Sequence, residues 1–340
     1  MRYPACVALL VILALAAACG GDRTAILELT GTTMGTQFSV KMPADTLLPD
    51  RVVLQRDIDA LLARMESLLS TYIVDSEISA FNINESTDWQ AASLEFCLSV
   101  EESLAISALT GGAFDITVGP LVNLWGFGPD GATLEPPSGE EIAAARTRVG
   151  YEHLHTDCAK PAVRKDLAGL YVDLSAYAKG YAVDSVARLL DELAIQNYLI
   201  EIGGELKVRG HNADGQAWAV AIEEPLDQER RVHSVIRLTD SAVATSGDYR
   251  NFFEFDEQRF SHTIDTRTGR PVTHPLASVT VIADTAAYAD AMATALMVLG
   301  PEDGLELATT RGIAALFLVR TESGFTEHLT PAFNAEGTRP

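Results

Sequence analysis

Asp290 and Thr294 stand four residues apart in Ala289-Asp290-Ala291-Met292-Ala293-Thr294-Ala295-Leu296, a segment whose composition predicts a helix. On a helix that spacing puts a carboxylate and a hydroxyl on one face, one turn apart. Two such oxygens suit a hard cation such as Mg²⁺, which takes oxygen ligands and completes its shell with water or substrate phosphate. In so apolar a run, both side chains need partners or cost stability. The plainer alternative is an Asp at the polar edge of the helix and a Thr bonded back to its own backbone.

Other segments carry chemistry of their own. His262, in Ser261-His262-Thr263-Ile264-Asp265, could act as a general base near neutral pH or simply hydrogen-bond within a loop. Asp173-Leu174-Ser175-Ala176-Tyr177-Ala178-Lys179-Gly180 reads as a strand-to-helix turn, where backbone amides are available to phosphate. Lys179 is one of few lysines in the chain; a solvent-facing Lys beside an Asp173 helix cap is the alternative. Gly112-Ala113-Phe114-Asp115 follows a helix end and offers a flat ring and a carboxylate to a heteroaromatic ligand, unless Phe114 is core and Asp115 a cap. Thr33-Met34-Gly35-Thr36 either holds such a ring against sulfur or begins a strand. No G-x-G-x-x-G, Walker loop, G-x-S-x-G or H-E-x-x-H occurs, which argues against Rossmann dinucleotide binding and serine hydrolysis.

These residues need a frame. Ile26 to Met42 alternates as a strand, and Asp50 to Leu69 carries a stripe of Leu54, Ile58, Leu61, Leu62, Met65, Leu68 and Leu69 expected of a helix. Leu94 to Thr110 is a second helix stopped by Gly111-Gly112, and Gly119 to Pro137 an ordered loop or lid. Leu170 to Leu174 reads as a strand, Ser175 to Gly180 as a turn and Tyr181 to Leu193 as a helix. Tyr198 to Ile202 and Leu206 to Val208 form a hairpin-like pair around Gly203-Gly204. Strands at Trp218 to Ile222, Val235 to Leu238 and Ser278 to Ala283 precede the helix with Asp290. The class is α+β, one compact domain over residues 26–335 with mixed sheets flanked by helices.

The net charge of −22 excludes nucleic acid as a partner and binding to anionic lipid through a basic patch. An anionic substrate must therefore be held by a local device, which returns the argument to Asp290 and Thr294. At the N-terminus, Arg2, an apolar run and Ala16-Ala17-Ala18-Cys19 read as a signal over residues 1–18, too short to span a bilayer, with a spacer over 19–25. The pattern resembles a bacterial lipoprotein signal that lipidates Cys19. Secretion without a lipid stays open, since Leu15 lies one place further from Cys19 than usual. Of the remaining cysteines, Cys97 sits on an apolar helical face and is expected to be a buried free thiol; pairing with Cys158 also stays open.

Taken in order, the blocks Thr33-Met34-Gly35-Thr36, Ser70-Thr71-Tyr72, Asp75-Ser76-Glu77, Phe81-Asn82, Gly112 to Asp115, Asp173 to Gly180, Ile202-Gly203-Gly204, Thr245-Ser246-Gly247-Asp248-Tyr249, Ser261 to Pro271 and Ala289 to Ala295 resemble the ApbE family of FAD:protein FMN transferases. The resemblance spans nearly the whole mature chain. It implies a Mg²⁺-dependent enzyme that splits FAD, releases AMP and leaves FMN phosphoester-linked to a Thr or Ser hydroxyl of an acceptor protein. Acceptors in the family include subunits of sodium-pumping NADH:quinone oxidoreductases and Rnf complexes. The lipoprotein-like signal suits the family's periplasmic members, so a lipid-anchored protein on the periplasmic side of the inner membrane is expected. By similarity, Asp290, Thr294 and the Ala176 carbonyl ligate the metal. Met34, Tyr72, Ala113, Phe114, Asp115, Asp173, Lys179 and Ile264 line the FAD site, and His262 deprotonates the acceptor. Some relatives carry an acid where this chain has Ala293, so here the metal is expected to lean on pyrophosphate oxygens. An FAD pyrophosphatase and a non-catalytic FAD-binding lipoprotein are the alternative readings.

Overall fold

The computed structural model describes residues 25–336 except 45–47, 130, 132–134, 228, 250 and 257, and only the backbone of 335 and 336. Cys19 and the signal segment lie outside the described residues. The frame is an eight-stranded sheet of β1 (Ile26–Thr33), β2 (Thr36–Pro43), β3 (Tyr198–Ile202), β4 (Glu205–Arg209), β5 (Ser241–Gly247), β6 (Leu276–Ala283), β7 (Ala314–Thr321) and β8 (Gly324–Leu329). The strands lie side by side in chain order, each antiparallel to the next. The α+β class stands, and antiparallel pairing throughout narrows the mixed sheets expected from the sequence.

Among the described residues eight α-helices complete the frame: α1 (Arg51–Leu69), α2 (Glu77–Ile83), α3 (Leu94–Leu109), α4 (Gly119–Leu124), α5 (Gly139–Arg146), α6 (Ala178–Glu192), α7 (Ala286–Arg311) and α8 (Pro331–Glu336). Helices α1, α6 and α7 cover one sheet face; a two-stranded ribbon, Trp218–Glu223 with Val232–Leu238, and α8 cover the other. Strand β5 shows why the centre of the sheet is apolar on both sides: Ala242 and Ala244 face the helices, Val243 the ribbon. Among the described residues no helix is long and apolar enough to cross a membrane.

Local chemistry sets the element ends. Asp50 caps α1 by accepting from Val52 N and Val53 N at 2.9 and 3.2 Å, and Leu54, Ile58, Leu62, Met65 and Leu69 are buried at helical spacing. Helix α7 is capped from outside: the Asp184 carboxylate on α6 accepts from Ala286 N at 3.1 Å and Ala287 N at 2.9 Å, placing negative charge at the positive end of the helix. Gly300, at φ 84°, breaks α7 just before Pro301, so Asp290 and Thr294 belong to its straight first half.

Four expectations from the sequence change. The strand over Ile26 to Met42 is a hairpin, because Met34 (φ 49°) and Gly35 (φ 70°) both turn left-handed, the requirement of a tight two-residue loop. The Leu170 to Leu174 strand is absent as a ladder. Leu170, Val172 and Leu174 are fully buried as alternation demands, but the backbone there bonds to a side chain: Asn82 accepts from Val172 N at 2.7 Å and donates to its carbonyl at 2.8 Å. The Gly119 to Pro137 loop begins as α4, with Pro120 in its first turn where no amide is needed. Helix α6 starts at Ala178, so Lys179 and Gly180 belong to its first turn and not to the turn before it.

Cys97 is no free thiol: it forms a disulfide with Cys158, their Cα atoms 5.7 Å apart. Its helix packs against the strand Leu154–Asp157, just before Cys158, a contact that periodicity does not encode. Closing a loop across 61 positions should contribute about 4 kcal/mol in the chain-entropy description. Cys97→Ser should therefore unfold at lower denaturant, and reductant should lower the wild-type midpoint while leaving the variant unmoved. Equal midpoints for oxidised wild type and variant would contradict that value.

Candidate functional site

A cavity of about 1020 Å³ opens between the sheet's helical side, the α4 region and the ribbon. Every residue that the sequence singled out among the described ones lines it: Met34, Tyr72, Ala113, Phe114, Asp115, Asp173, Ala176, Lys179, His262, Ile264, Asp290 and Thr294. They come from positions hundreds of residues apart, so their convergence is a tertiary result.

At its centre, the first turn of α6 meets α7. Asp290 is buried, and its Oδ2 accepts from Gly180 N at 3.2 Å. The Lys179 ammonium lies 3.5 Å from Asp290 Oδ2 and 2.8 Å from Glu205 Oε1. Burial opposes the charge on Lys179, but the two carboxylates outweigh it and hold its pKa above the ordinary lysine value. Burial first, and repulsion from Asp290 next, push Glu205 up to about 7 against the pull of Lys179. Glu205 Oε2 is buried without a hydrogen-bond partner. Thr294 shares a hydrogen bond with Ser246 at 2.9 Å, one hydroxyl from α7 and one from β5.

This donor set fits a divalent cation. Asp290, Thr294 and Ala176 present hard oxygen chemistry to one cavity, and two carboxylates face a single ammonium there. Among the described residues no trio of His, Cys, Asp and Glu assembles a complete cage, so a metal held here needs oxygens from elsewhere. Ala293 is fully buried in the main core and does not line the cavity.

His262 is oriented by backbone. Asn251 O accepts from His262 N at 3.1 Å and pairs with its Nδ1 at 3.0 Å. A carbonyl can only accept, so Nδ1 carries the proton and neutral His262 keeps its lone pair on Nε2. Burial, with Lys179 adding to it, lowers the His262 pKa below the usual imidazole value and favours that neutral form. The ring also meets Phe127 edge-on at 6.3 Å between centroids.

The remaining wall is aromatic and acidic. Exposed Tyr72 donates from its hydroxyl to Phe127 O at 3.2 Å, bridging the α1–α2 loop to the α4 region. Asp115 does more than face a ligand: its oxygens accept from Thr117 N (2.8 Å), Thr117 Oγ1 (2.7 Å) and Tyr151 N (3.1 Å). Burial outweighs those bonds and raises its pKa to about 6. Asp173 is not a helix cap; its Oδ1 accepts from Ser175 N at 2.8 Å, shaping the turn that presents Ala176. Ile264 backs onto the cluster of Leu121, Trp125 and Ile142, and Met34 is pinned by its backbone bond to Glu66.

Sequence reasoning missed Glu205, Asn251 and Glu66 as site-builders, while Ser246 lies in a block it had named. Only Glu205 left a signal, a charged residue directly after the Gly203-Gly204 turn and buried in a strand.

The ApbE family model matches residues 34–317. The chain belongs to the ApbE family. An FAD:protein FMN transferase of Vibrio cholerae is 44% identical over 306 residues, covering 90% of this chain and 91% of the relative. Among solved structures, the flavin transferase ApbE from Vibrio cholerae superposes with a TM-score of 0.85 at 42% identity, over 92% of this chain and 99% of the other. The Pseudomonas stutzeri flavinyl transferase ApbE, in its apo form, gives 0.84 at 42% identity over 92% and 96%. The matched span contains every residue named above as lining the cavity.

Proposed function

We propose that this chain is an FAD:protein FMN transferase, and that the single observation carrying the reading is the convergence of Asp290, Thr294, Lys179 and His262 on one large cavity with an aromatic wall. FAD would lie along Met34, Tyr72, Phe114, Asp173 and Ile264, its pyrophosphate towards Lys179. A Mg²⁺ ion on Asp290, Thr294 and the Ala176 carbonyl would neutralise charge on the phosphoryl oxygens. The chain's own residues supply the rest. Lys179 offers a fixed positive charge to the pyrophosphate, and Asp290 and Glu205 fix the position of that charge. His262 Nε2 accepts the proton of the acceptor Thr or Ser hydroxyl as that oxygen attacks phosphorus; the phosphorus–oxygen bond to AMP breaks, and AMP leaves with the electron pair.

Acceptor subunits of sodium-pumping NADH:quinone oxidoreductase or Rnf type, and a Cys19 lipid anchor on the periplasmic face of the inner membrane, complete the proposal. The Cys97–Cys158 disulfide supports export, because such bonds persist in oxidising compartments.

The test is incubation of purified protein with FAD, Mg²⁺ and such an acceptor subunit. The expected outcome is stoichiometric AMP and an acceptor heavier by one FMN less one water. AMP and free FMN without modified acceptor would favour the pyrophosphatase, and tight FAD binding without AMP the storage protein. Because His262 must be neutral to take a proton, transfer should fall as pH drops through a pKa below 6.5, the ordinary imidazole value. His262→Ala should lose that limb and slow transfer by roughly a hundredfold or more. An unchanged pH profile in His262→Ala would remove His262 from the proton path.

A further inference from the structure

The cavity reaches well past the residues assigned to FAD. On the far side of Lys179, Asp290 and His262 it is lined by Leu206 and Val243 of the sheet and by Val220, Ala221, Ile222 and Glu223 of the ribbon. That last run is consecutive. Side chains of a strand alternate between its faces, so a cavity lying against one face would meet every second residue only. Val220 and Ile222 point into the core beneath the ribbon, while Ala221 points to solvent, yet all three line the cavity. The strand Trp218–Glu223 therefore presents its edge to the cleft.

Among the described residues that edge pairs with no further strand: Trp218–Glu223 pairs with Val232–Leu238 on one side, and no third strand joins the ribbon there. On the other side alternate residues turn N–H and C=O outward, a template for another extended chain. Exposed edges are usually guarded by Lys, Pro or a bulky charge; here the one charge is Glu223 at the strand's end, which is half-buried and has a partner of its own, and the solvent-facing positions before it are Ala219 and Ala221. Small side chains let a second backbone approach closely.

Resting on the flavin-transfer reading, we infer that this edge binds the acceptor polypeptide as an added β-strand, laying its Thr hydroxyl towards His262. A Thr side chain is short, so the acceptor main chain must itself enter the cleft. Strand addition provides that entry: main-chain hydrogen bonds supply affinity whatever the sequence, and alternate side chains supply selectivity. The occupant follows from continuity, since the ribbon edge and the catalytic residues line one cavity. Such a site also explains why a residue within a polypeptide would be modified in preference to a free amino acid.

Two measurements test this on the full-length protein. In the first, Ala221→Pro is compared with wild type for flavinylation of an acceptor subunit of a sodium-pumping NADH:quinone oxidoreductase, with FAD affinity and thermal midpoint as controls. Proline is tolerated on an edge strand but blocks strand addition there. The expected result is a KM for acceptor raised roughly tenfold, the worth of one or two main-chain hydrogen bonds, with FAD affinity unchanged. In the second, the wild-type enzyme receives synthetic peptides spanning the acceptor Thr, each N-methylated at one backbone nitrogen. Sensitivity should alternate along the peptide, strong at every second residue, because only alternate amides of an added strand face the edge. The scan decides the matter if Ala221→Pro fails to fold. Uniform tolerance of N-methylation, or a loss of FAD affinity that accounts for the whole Ala221→Pro defect, overturns the inference. Absence of transfer by wild type to any acceptor would instead sink the transferase reading itself.

Discussion

Asp290→Ala is expected to abolish flavin transfer, lowering the rate of AMP release by roughly three orders of magnitude, about 4 kcal/mol of transition-state stabilisation. The size follows from what the carboxylate does in the fold. It is buried, it lies 3.5 Å from the Lys179 ammonium, and it accepts the Gly180 amide at 3.2 Å. Removing it takes a hard oxygen from the proposed metal site and frees Lys179 to pair with Glu205 alone. The truncation also strands the Gly180 N–H, at a cost of about 1–3 kcal/mol in stability. Asp290→Asn separates the two effects. The amide oxygen still accepts from Gly180, so the fold should survive nearly intact, while the lost charge should keep transfer at least a hundredfold down. Calorimetric Mg²⁺ titration in the presence of FAD should show affinity lost in both variants. Wild-type turnover by Asp290→Asn would remove the carboxylate's charge from the reaction.

Gly180→Ala should damage both stability and activity although it adds one methyl group. A Cβ there would stand 2.2 Å from Ala286 O, 2.5 Å from its carbonyl carbon and 2.6 Å from Ala287 N. Those are backbone atoms at the start of α7, so no rotamer change relieves the clash, and α6 and α7 must separate. Separation weakens the Asp184 cap on Ala286 and Ala287 and the bond between Gly180 and Asp290. Overpacking at a rigid contact costs about 3 kcal/mol. Thermal and denaturant unfolding should show that loss, and the folded fraction should transfer flavin slowly because Asp290 no longer sits beside Lys179. A wild-type unfolding midpoint for Gly180→Ala would show that the crossing can dilate without cost.

Both predictions rest on one helix crossing, and only part of that crossing was readable beforehand. The pairing of Asp290 with Thr294 is a matter of period: two polar residues four apart on an apolar helix share a face in any fold. That Lys179 would reach the same place was not readable, since it depends on how α6 crosses α7, and that angle depends on Gly180 having no Cβ. Glu205 shows the same limit from the other side. It completes the charge cluster, yet in sequence it is one glutamate among 47 acidic residues.

Where period and local chemistry decide, the reading held: Asp50 starts α1, Leu54 to Leu69 face the core, and Gly203-Gly204 turn between β3 and β4. Leu170 to Leu174 marks the boundary. Its alternation correctly announced which side chains are buried, but a strand also needs a neighbour, and here the Asn82 side chain takes that place. Cys97 is a second case, because whether a thiol is free depends on which distant segment packs beside it.

By itself the sequence determined helices α1, α3, α6 and α7, the apolar faces, the acidic character that leaves an anionic ligand to a local device, and the ordered blocks that mark the ApbE family. The tertiary structure alone decided that Lys179, Glu205 and Asp290 form one cluster, that His262 is aimed by Asn251, that Cys97 meets Cys158, and that a ribbon edge faces the cleft. The physical reason is range. Hydrogen-bond period and side-chain polarity act over a few residues and are written locally, whereas an ion pair, a disulfide or a shared cavity joins residues that only the packing of the whole core brings within a few ångströms.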